Sequence, residues 1–163
     1  MFGFLTFGTL LAFLDLAVKN QIEGEDDGKF PREIPESKGM IWLYKNHNPG
    51  FSFGVLKERP KFVERIPLCL VSGLAGAWFY LMGTKGRFLK KTALTLALAG
   101  GVSNLCDRLL RGYVVDYFSI RYKALKKVVF NLGDFFIGAG VLLYLAAELF
   151  EALRDAGMKA KKK

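Results

Sequence analysis

The 163 residues suggest a single domain, and 52% hydrophobic content with 14% aromatics is high for a soluble protein of this size. A formal net charge of +9 raises nucleic acid as a partner, but the basic residues flank apolar runs and no nucleic-acid motif interleaves with them, so anionic lipid is the expected counter-charge. Cys69 and Cys106 both fall inside apolar segments, which indicates neither a disulfide framework nor a metal site.

In chain order, Met1 to Val18 is apolar apart from Asp15, lacks a basic leader and has no small-x-small cleavage site after it, so it reads as a retained first span over residues 2–18. Because this span is short, Lys19 is expected at the membrane interface, on the same helix face as Asp15. The pair reads either as a helix-end anchor or as support for an active site. Residues 19–65 form the longest polar stretch, and its acidic, proline-broken first part is a loop. Met40–Tyr44 and Phe51–Leu56 are aromatic and aliphatic runs around Pro49-Gly50, a pair suited to a type II turn, so a short two-stranded element is expected here. His47, the one histidine, reads as polar loop surface.

Residues 66–83 carry no charge and form the second span, since about 18 residues at 1.5 Å rise nearly cross a hydrocarbon core. A basic turn over 83–91 leads to the third span, 92–106, in which Gly100 and Gly101 permit close helix packing. Residues 107–130 lie outside the membrane. Within them Gly112–Ile120 has strand composition, with Val114, Asp116 and Phe118 on one face. The fourth span covers 131–153. The turn at 83–91 holds four Lys/Arg and the C-terminal tail five of the chain's 24, so charge alone does not place the termini in the cytoplasm.

The stretch Gly100–Asp134 places three carboxylates, Asp107, Asp116 and Asp134, between two strongly apolar segments. Holding a charged acid at such a boundary is costly, which makes it a functional candidate, and two neighbouring acids can share one proton. The plainer alternative is that Asn131 and Asp134 are an N-cap and N3 pair on the last helix. Asp107, one residue before Arg108, reads as structural.

The residues Asn104-Leu105-x-Asp107-Arg108, Gly112-x-Val114-Val115-Asp116-Tyr117 and Phe130-Asn131-Leu132-Gly133-Asp134 resemble the motifs of lipoprotein signal peptidases, the signal peptidase II family. Upstream, Leu14-Asp15 with Lys19, and Asn48-Pro49-Gly50-Phe51-Ser52-Phe53-Gly54, agree with that family, so the resemblance spans nearly the whole chain. It departs at Leu16, at Phe51-Ser52, at Ser103 where a glycine is usual, and at Gly133 where an alanine is usual. The expected fold is an all-α integral membrane protein with four transmembrane helices and a small extracytoplasmic β-containing element, in one domain over 1–163.

The resemblance implies an aspartic endopeptidase that removes the signal peptide of diacylglyceryl-modified bacterial prolipoproteins, cutting before the lipidated cysteine. It assigns the catalytic dyad to Asp116 and Asp134, with Asp15, Lys19, Asn48, Gly50, Asn104, Arg108 and Asn131 binding substrate or supporting the site. It implies no metal and no cofactor, a monomer in contact with membrane lipid, and a place in the bacterial cytoplasmic membrane with cytoplasmic termini and the site near the outer face. The rival from another class is a small transporter or proton conductor using the same carboxylates as a relay, which needs them spread through the depth of the bilayer.

Overall fold

The computed structural model describes residues 1–51, 55 and 58–160. Four long helices carry the chain: α1 (Phe2–Gly24), α2 (Pro60–Met82), α3 (Phe88–Arg111) and α4 (Leu132–Ala160). Three strands, β1 (Arg32–Glu33), β2 (Ile41–Asn48) and β3 (Val114–Ile120), form an antiparallel sheet in the order β1-β2-β3. The fold is thus mostly helical with one small sheet. Three of the helices, α1, α2 and α4, are long and apolar enough to cross a membrane.

The distribution of side chains is inverted relative to a water-soluble protein. Apart from Val115, the largest fully buried side chains are polar: Lys19, Asn131, Thr95, Asp15, Asp107, Ser103 and Ser119. Large apolar groups such as Phe2, Leu10, Leu70, Leu110 and Leu142 point outward. Lipid is a solvent in which that arrangement is stable, because hydrocarbon around the helices favours apolar exteriors and leaves polar groups to find partners inside.

α3 is the hub and packs against each of the other three helices. Its composition is less apolar than theirs because its inner face carries Ser103, Asn104 and Asp107 and its ends carry Lys90, Lys91, Arg108 and Arg111. Buried Ala93, Ala97, Gly100, Asn104 and Asp107 recur at the alternating four- and three-residue spacing of one helix face. The small members let α4 come close: a Cβ on Gly100 would lie 2.1 Å from the Gly133 carbonyl oxygen, and one on Gly140 would lie 2.6 Å from that of Ala93. Without a hydrophobic driving force between helices in lipid, such close contact is a main source of association. At the far end of the bundle Lys90 bridges α3 to α4 through Glu148 (2.8 Å) and Glu151 (2.7 Å). Trp78 of α2 donates to Thr95 (2.8 Å).

Gly112 ends α3 in the left-handed region, φ 81°, which glycine adopts without a Cβ penalty, and β3 begins two residues later. The strand expected over 112–120 is therefore present, but its partner is β2, 68 residues upstream at the Asn48–Asp116 contact, with Asn46 opposite Asp116 and Asn48 opposite Val114. The expected hairpin around Pro49-Gly50 is not the pairing β2 makes. Most of its second arm, Ser52–Gly54 with Leu56, lies outside the described residues. Beyond β3 the chain passes a short 3₁₀ turn (Lys123–Lys127) and returns beside the strand at Phe130, whose N–H and carbonyl both bond Phe118. This return sets the start of α4 beside the middle of β3, over a small apolar cluster of Ile22, Val115 and Tyr117.

Candidate active site

Asp116 comes from the centre of β3 and Asp134 from the first turn of α4, and both line one cleft of about 530 Å³. Its polar end is Asn48, Asn104, Arg108 and the two acids. Val128, Phe130 and Ile137 lie on its apolar wall.

Three asparagines hold the carboxylates, and each divides its amide in the same way, with the NH₂ group on an aspartate and the carbonyl oxygen on the scaffold. Asn48 donates to Asp116 Oδ2 (3.1 Å) while its oxygen accepts the Gly50 N–H (3.0 Å). Asn131 donates to Asp116 Oδ1 (2.8 Å) while its oxygen accepts the Asp134 N–H (2.9 Å). Asn104 donates to Asp134 Oδ1 (3.0 Å) while its oxygen accepts from Lys19 Nζ (2.7 Å). Asp134 Oδ2 in turn accepts the Asn131 N–H (3.2 Å), so Asn131 and Asp134 do make the reciprocal cap of an N-cap and N3 pair. Capping and placement beside Asp116 are one arrangement here, because a single amide serves both.

Asp116 is 4% exposed. Burial, and after it the charge of Asp134, pushes its carboxyl up to about 7 against the pull of the Asn48 and Asn131 donors. At neutral pH this acid is therefore present in both protonation states.

Beneath the acids lies a buried ionic layer. Lys19 Nζ meets Asp15 Oδ2 at 2.9 Å and Asp107 Oδ2 at 3.2 Å, with its side chain fully excluded from solvent. Lys19 thus does not sit at an interface. α1 continues past it to Gly24, and two carboxylates with the Asn104 amide compensate a desolvated ammonium that lipid headgroups would otherwise have to solvate. Asp15 also accepts from Ser103 (2.6 Å) and from Tyr117 (3.0 Å). Asp107 joins α3 to β3 by accepting the Val115 N–H (3.1 Å) and Arg111 (2.6 Å), which is the structural part its sequence context suggests.

Arg108 binds backbone: its guanidinium donates to the Asn104 carbonyl and to the Gly50 carbonyl, both at 3.2 Å, and lies 5.6 Å from the Phe51 ring centre. It ties the Asn48-Pro49-Gly50 loop to α3, while its buried Nε has no partner among the described residues. His47 is exposed and bonded to Glu23 at 2.7 Å, away from the acids.

Asp15, Lys19, Asn48, Gly50, Asn104, Arg108, Asp116, Asn131 and Asp134 therefore converge on a single network. Asp15, Asp116 and Asp134 gather at one end of the bundle, which is not the spacing a relay through the bilayer requires. Ser103 and Tyr117 are part of the network and escape a sequence reading. Ser103 was visible only as a departure from a pattern, and Tyr117 only as the last residue of the Gly112–Tyr117 motif, with no role attached to it. Among the described residues no group of His, Cys, Asp and Glu has the arrangement of a metal site.

A buried pair of acids, braced by amides at one end of a lipid-adapted helical bundle, defines a membrane-embedded acid-pair protein. The family model described as Signal peptidase (SPase) II matches residues 7–150, and the chain belongs to that family. It is 36% identical to a lipoprotein signal peptidase of Moorella thermoacetica over 82% of this chain and 87% of the relative. It is 30% identical to one of Streptococcus pneumoniae over 88% and 90%, and 31% identical to one of Staphylococcus carnosus over 71% and 72%. A bacterial membrane enzyme solved by the in meso method at 2.3 Å shares the fold, with a TM-score of 0.80 and 22% identity over 93% of this chain and 90% of that one.

Proposed function

We propose that this chain is a lipoprotein signal peptidase, an aspartic endopeptidase that cuts bacterial prolipoproteins just before the diacylglyceryl-modified cysteine, with Asp116 and Asp134 as its catalytic dyad. The observation that carries the assignment is the triple-asparagine cradle, which brings two acids into one cleft. We place the shared proton on Asp116, whose carboxyl burial and the neighbouring Asp134 charge push up to about 7. Asp134 takes a proton from the attacking water while Asp116 donates to the scissile carbonyl, and the proton on Asp134 later passes to the leaving amine. Asn48, Asn104 and Asn131 fix the two carboxyl groups, Gly50 and Arg108 hold the loop over the cleft, and Asp15 with Lys19 supports α4 and Asn104. The apolar wall suits the lipid-proximal residues of a signal peptide.

We read all four helices as spans. α3 has 24 residues, a length of about 36 Å at 1.5 Å per residue, and its polar side chains face the bundle or lie near its ends. The short connection holding Lys85 and Arg87, and the end of α4, lie at the opposite end from the site. Membership of the family, rather than the charge count, supports reading this end as cytoplasmic and the acids as near the outer face of the cytoplasmic membrane, and the short basic connection accords with it. The protein works as a monomer on substrates already in the bilayer.

The test is incubation of purified protein with a diacylated prolipoprotein, with and without chelator, followed by gel mobility. Cleavage is expected to be indifferent to chelator and to fall to background in Asp116→Asn and in Asp134→Asn, with substrate binding retained. Full turnover by either variant would remove the dyad assignment.

A further inference from the structure

The acids at the head of α4 are placed by more than their own asparagines. Asp15 has four donors and no solvent exposure: Tyr117 Oη (3.0 Å) and the Leu132 N–H (3.1 Å) on Oδ1, Ser103 Oγ (2.6 Å) and Lys19 Nζ (2.9 Å) on Oδ2. Leu132 is the first residue of α4, and its N–H is one that no helical carbonyl can satisfy. It is shared between Asp15 Oδ1 and the Tyr117 hydroxyl, the latter at 3.0 Å. Tyr117 thus donates to Asp15 and accepts from Leu132 with one oxygen. Burial and the adjacent Asp15 carboxylate push its phenol up, so it remains a donor at every working pH. α1 meets α4 almost nowhere else, which leaves this polar joint to fix the head of α4 relative to α1. The first turn of α4 is then held at two points: the Asp134 N–H by Asn131, and the Leu132 N–H by the Asp15–Tyr117 pair.

We propose that Tyr117 and Ser103 are positioning residues for Asp134, acting through Asp15 and the Leu132 N–H to set where the dyad's second carboxylate stands. Neither hydroxyl touches substrate. The inference rests on the dyad reading, and the two fail separately in the experiment.

Tyr117→Phe removes the hydroxyl and keeps the ring in the apolar cluster, and Ser103→Ala leaves Asp15 Oδ2 to Lys19 alone. Each is measured for kcat, KM and pH–rate profile on a diacylated prolipoprotein in detergent micelles, beside Asp15→Asn, the two double variants with Asp15→Asn, and Asp134→Asn. The expected result is about a tenfold loss of kcat at unchanged KM for each single variant, and no further loss when either is combined with Asp15→Asn, since the three act as one path. The bell-shaped profile should narrow, because two acids that drift apart couple less and their apparent pKa values converge. A merely structural hydroxyl would lower thermal stability and leave the bell unchanged. Activity within twofold of wild type, an unchanged bell, or full additivity with Asp15→Asn in either single variant overturns the inference, while inactivity of Asp134→Asn alongside any of these leaves the dyad intact. Turnover by Asp134→Asn overturns both.

Discussion

The contact between α3 and α4 makes the site sensitive to one methyl group placed outside it. A Cβ on Gly100 would stand 2.1 Å from the Gly133 carbonyl oxygen, 2.9 Å from its carbon and 3.0 Å from Ile137 Cγ1. That oxygen and carbon are backbone, so no side-chain rotation relieves them, and α4 must retreat by more than about 1 Å to recover an ordinary contact. Asn131 and Asp134 ride on that turn. Asp116 follows only in part, because β3, though bonded to Asn131 and Phe130, is also tied to the end of α3 by the Asp107 bond to the Val115 N–H. In Gly100→Ala the acids therefore separate. A misplacement of about 1 Å at a reacting group costs on the order of 10²-fold in rate, and overpacking of this kind about 1–3 kcal/mol in stability. The assay is turnover of a diacylated prolipoprotein by purified Gly100→Ala, with thermal denaturation in the same detergent. A variant with wild-type melting and activity within about threefold would show that the heads of α3 and α4 are not rigidly coupled, and the geometric reasoning would be refuted.

Two further outcomes follow from neighbouring geometry. A Cβ at Gly133 would lie 2.9 Å from Asp15 Oδ2, the oxygen that Ser103 grips at 2.6 Å, and 3.0 Å from Asn131 Oδ1, so Gly133→Ala should cut kcat about tenfold and the added Ser103→Gly, which relieves only the first contact, should restore part of it. Equal activity of the single and the double variant would disprove that coupling. The Asp116 carboxyl stands at about 7 in the folded protein against an ordinary 3.8, so the native state keeps a proton that the unfolded chain releases between those values. Its cost to stability is absent below the lower value, grows as pH rises through the window at roughly 1.4 kcal/mol per unit, and is complete above the upper one. The melting temperature of Asp116→Asn should therefore exceed that of wild type by more at pH 8 than at pH 4, and an equal difference at both pH values would contradict the burial argument.

The helices were legible because apolar runs announce themselves without reference to partners, and the ordered motifs from Asp15 to Asp134 named the acids and amides that meet. Pairing was not legible. Nothing in the local pattern of Ile41–Asn48 says that it joins Val114–Ile120 rather than the run after Gly50, since strand propensity has no address. Lys19 shows the same limit from the side of charge: a lysine near the end of an apolar segment reads as interfacial, and only the arrival of Asn104, 85 residues away, and of Asp107 beyond it on α3 makes a buried ammonium tolerable. Asn131 was legible as a cap and as a member of a motif. That both readings describe one amide emerges only when β3 and the head of α4 lie side by side.

The buried ionic layer bears on how the chain enters the bilayer. Asp15 and Lys19 are four residues apart on α1, and Asp107 and Arg111 four apart on α3, each pair in direct contact. Every one of these charges thus travels with a counter-charge on its own helix. A segment delivered to lipid before its neighbours presents a near-neutral dipole instead of a bare ion, and the insertion machinery meets two modest barriers instead of four large ones. Docking of α1 on α3 then only exchanges partners within an ionic cluster already assembled in halves, so these four charges need not enter the bilayer bare.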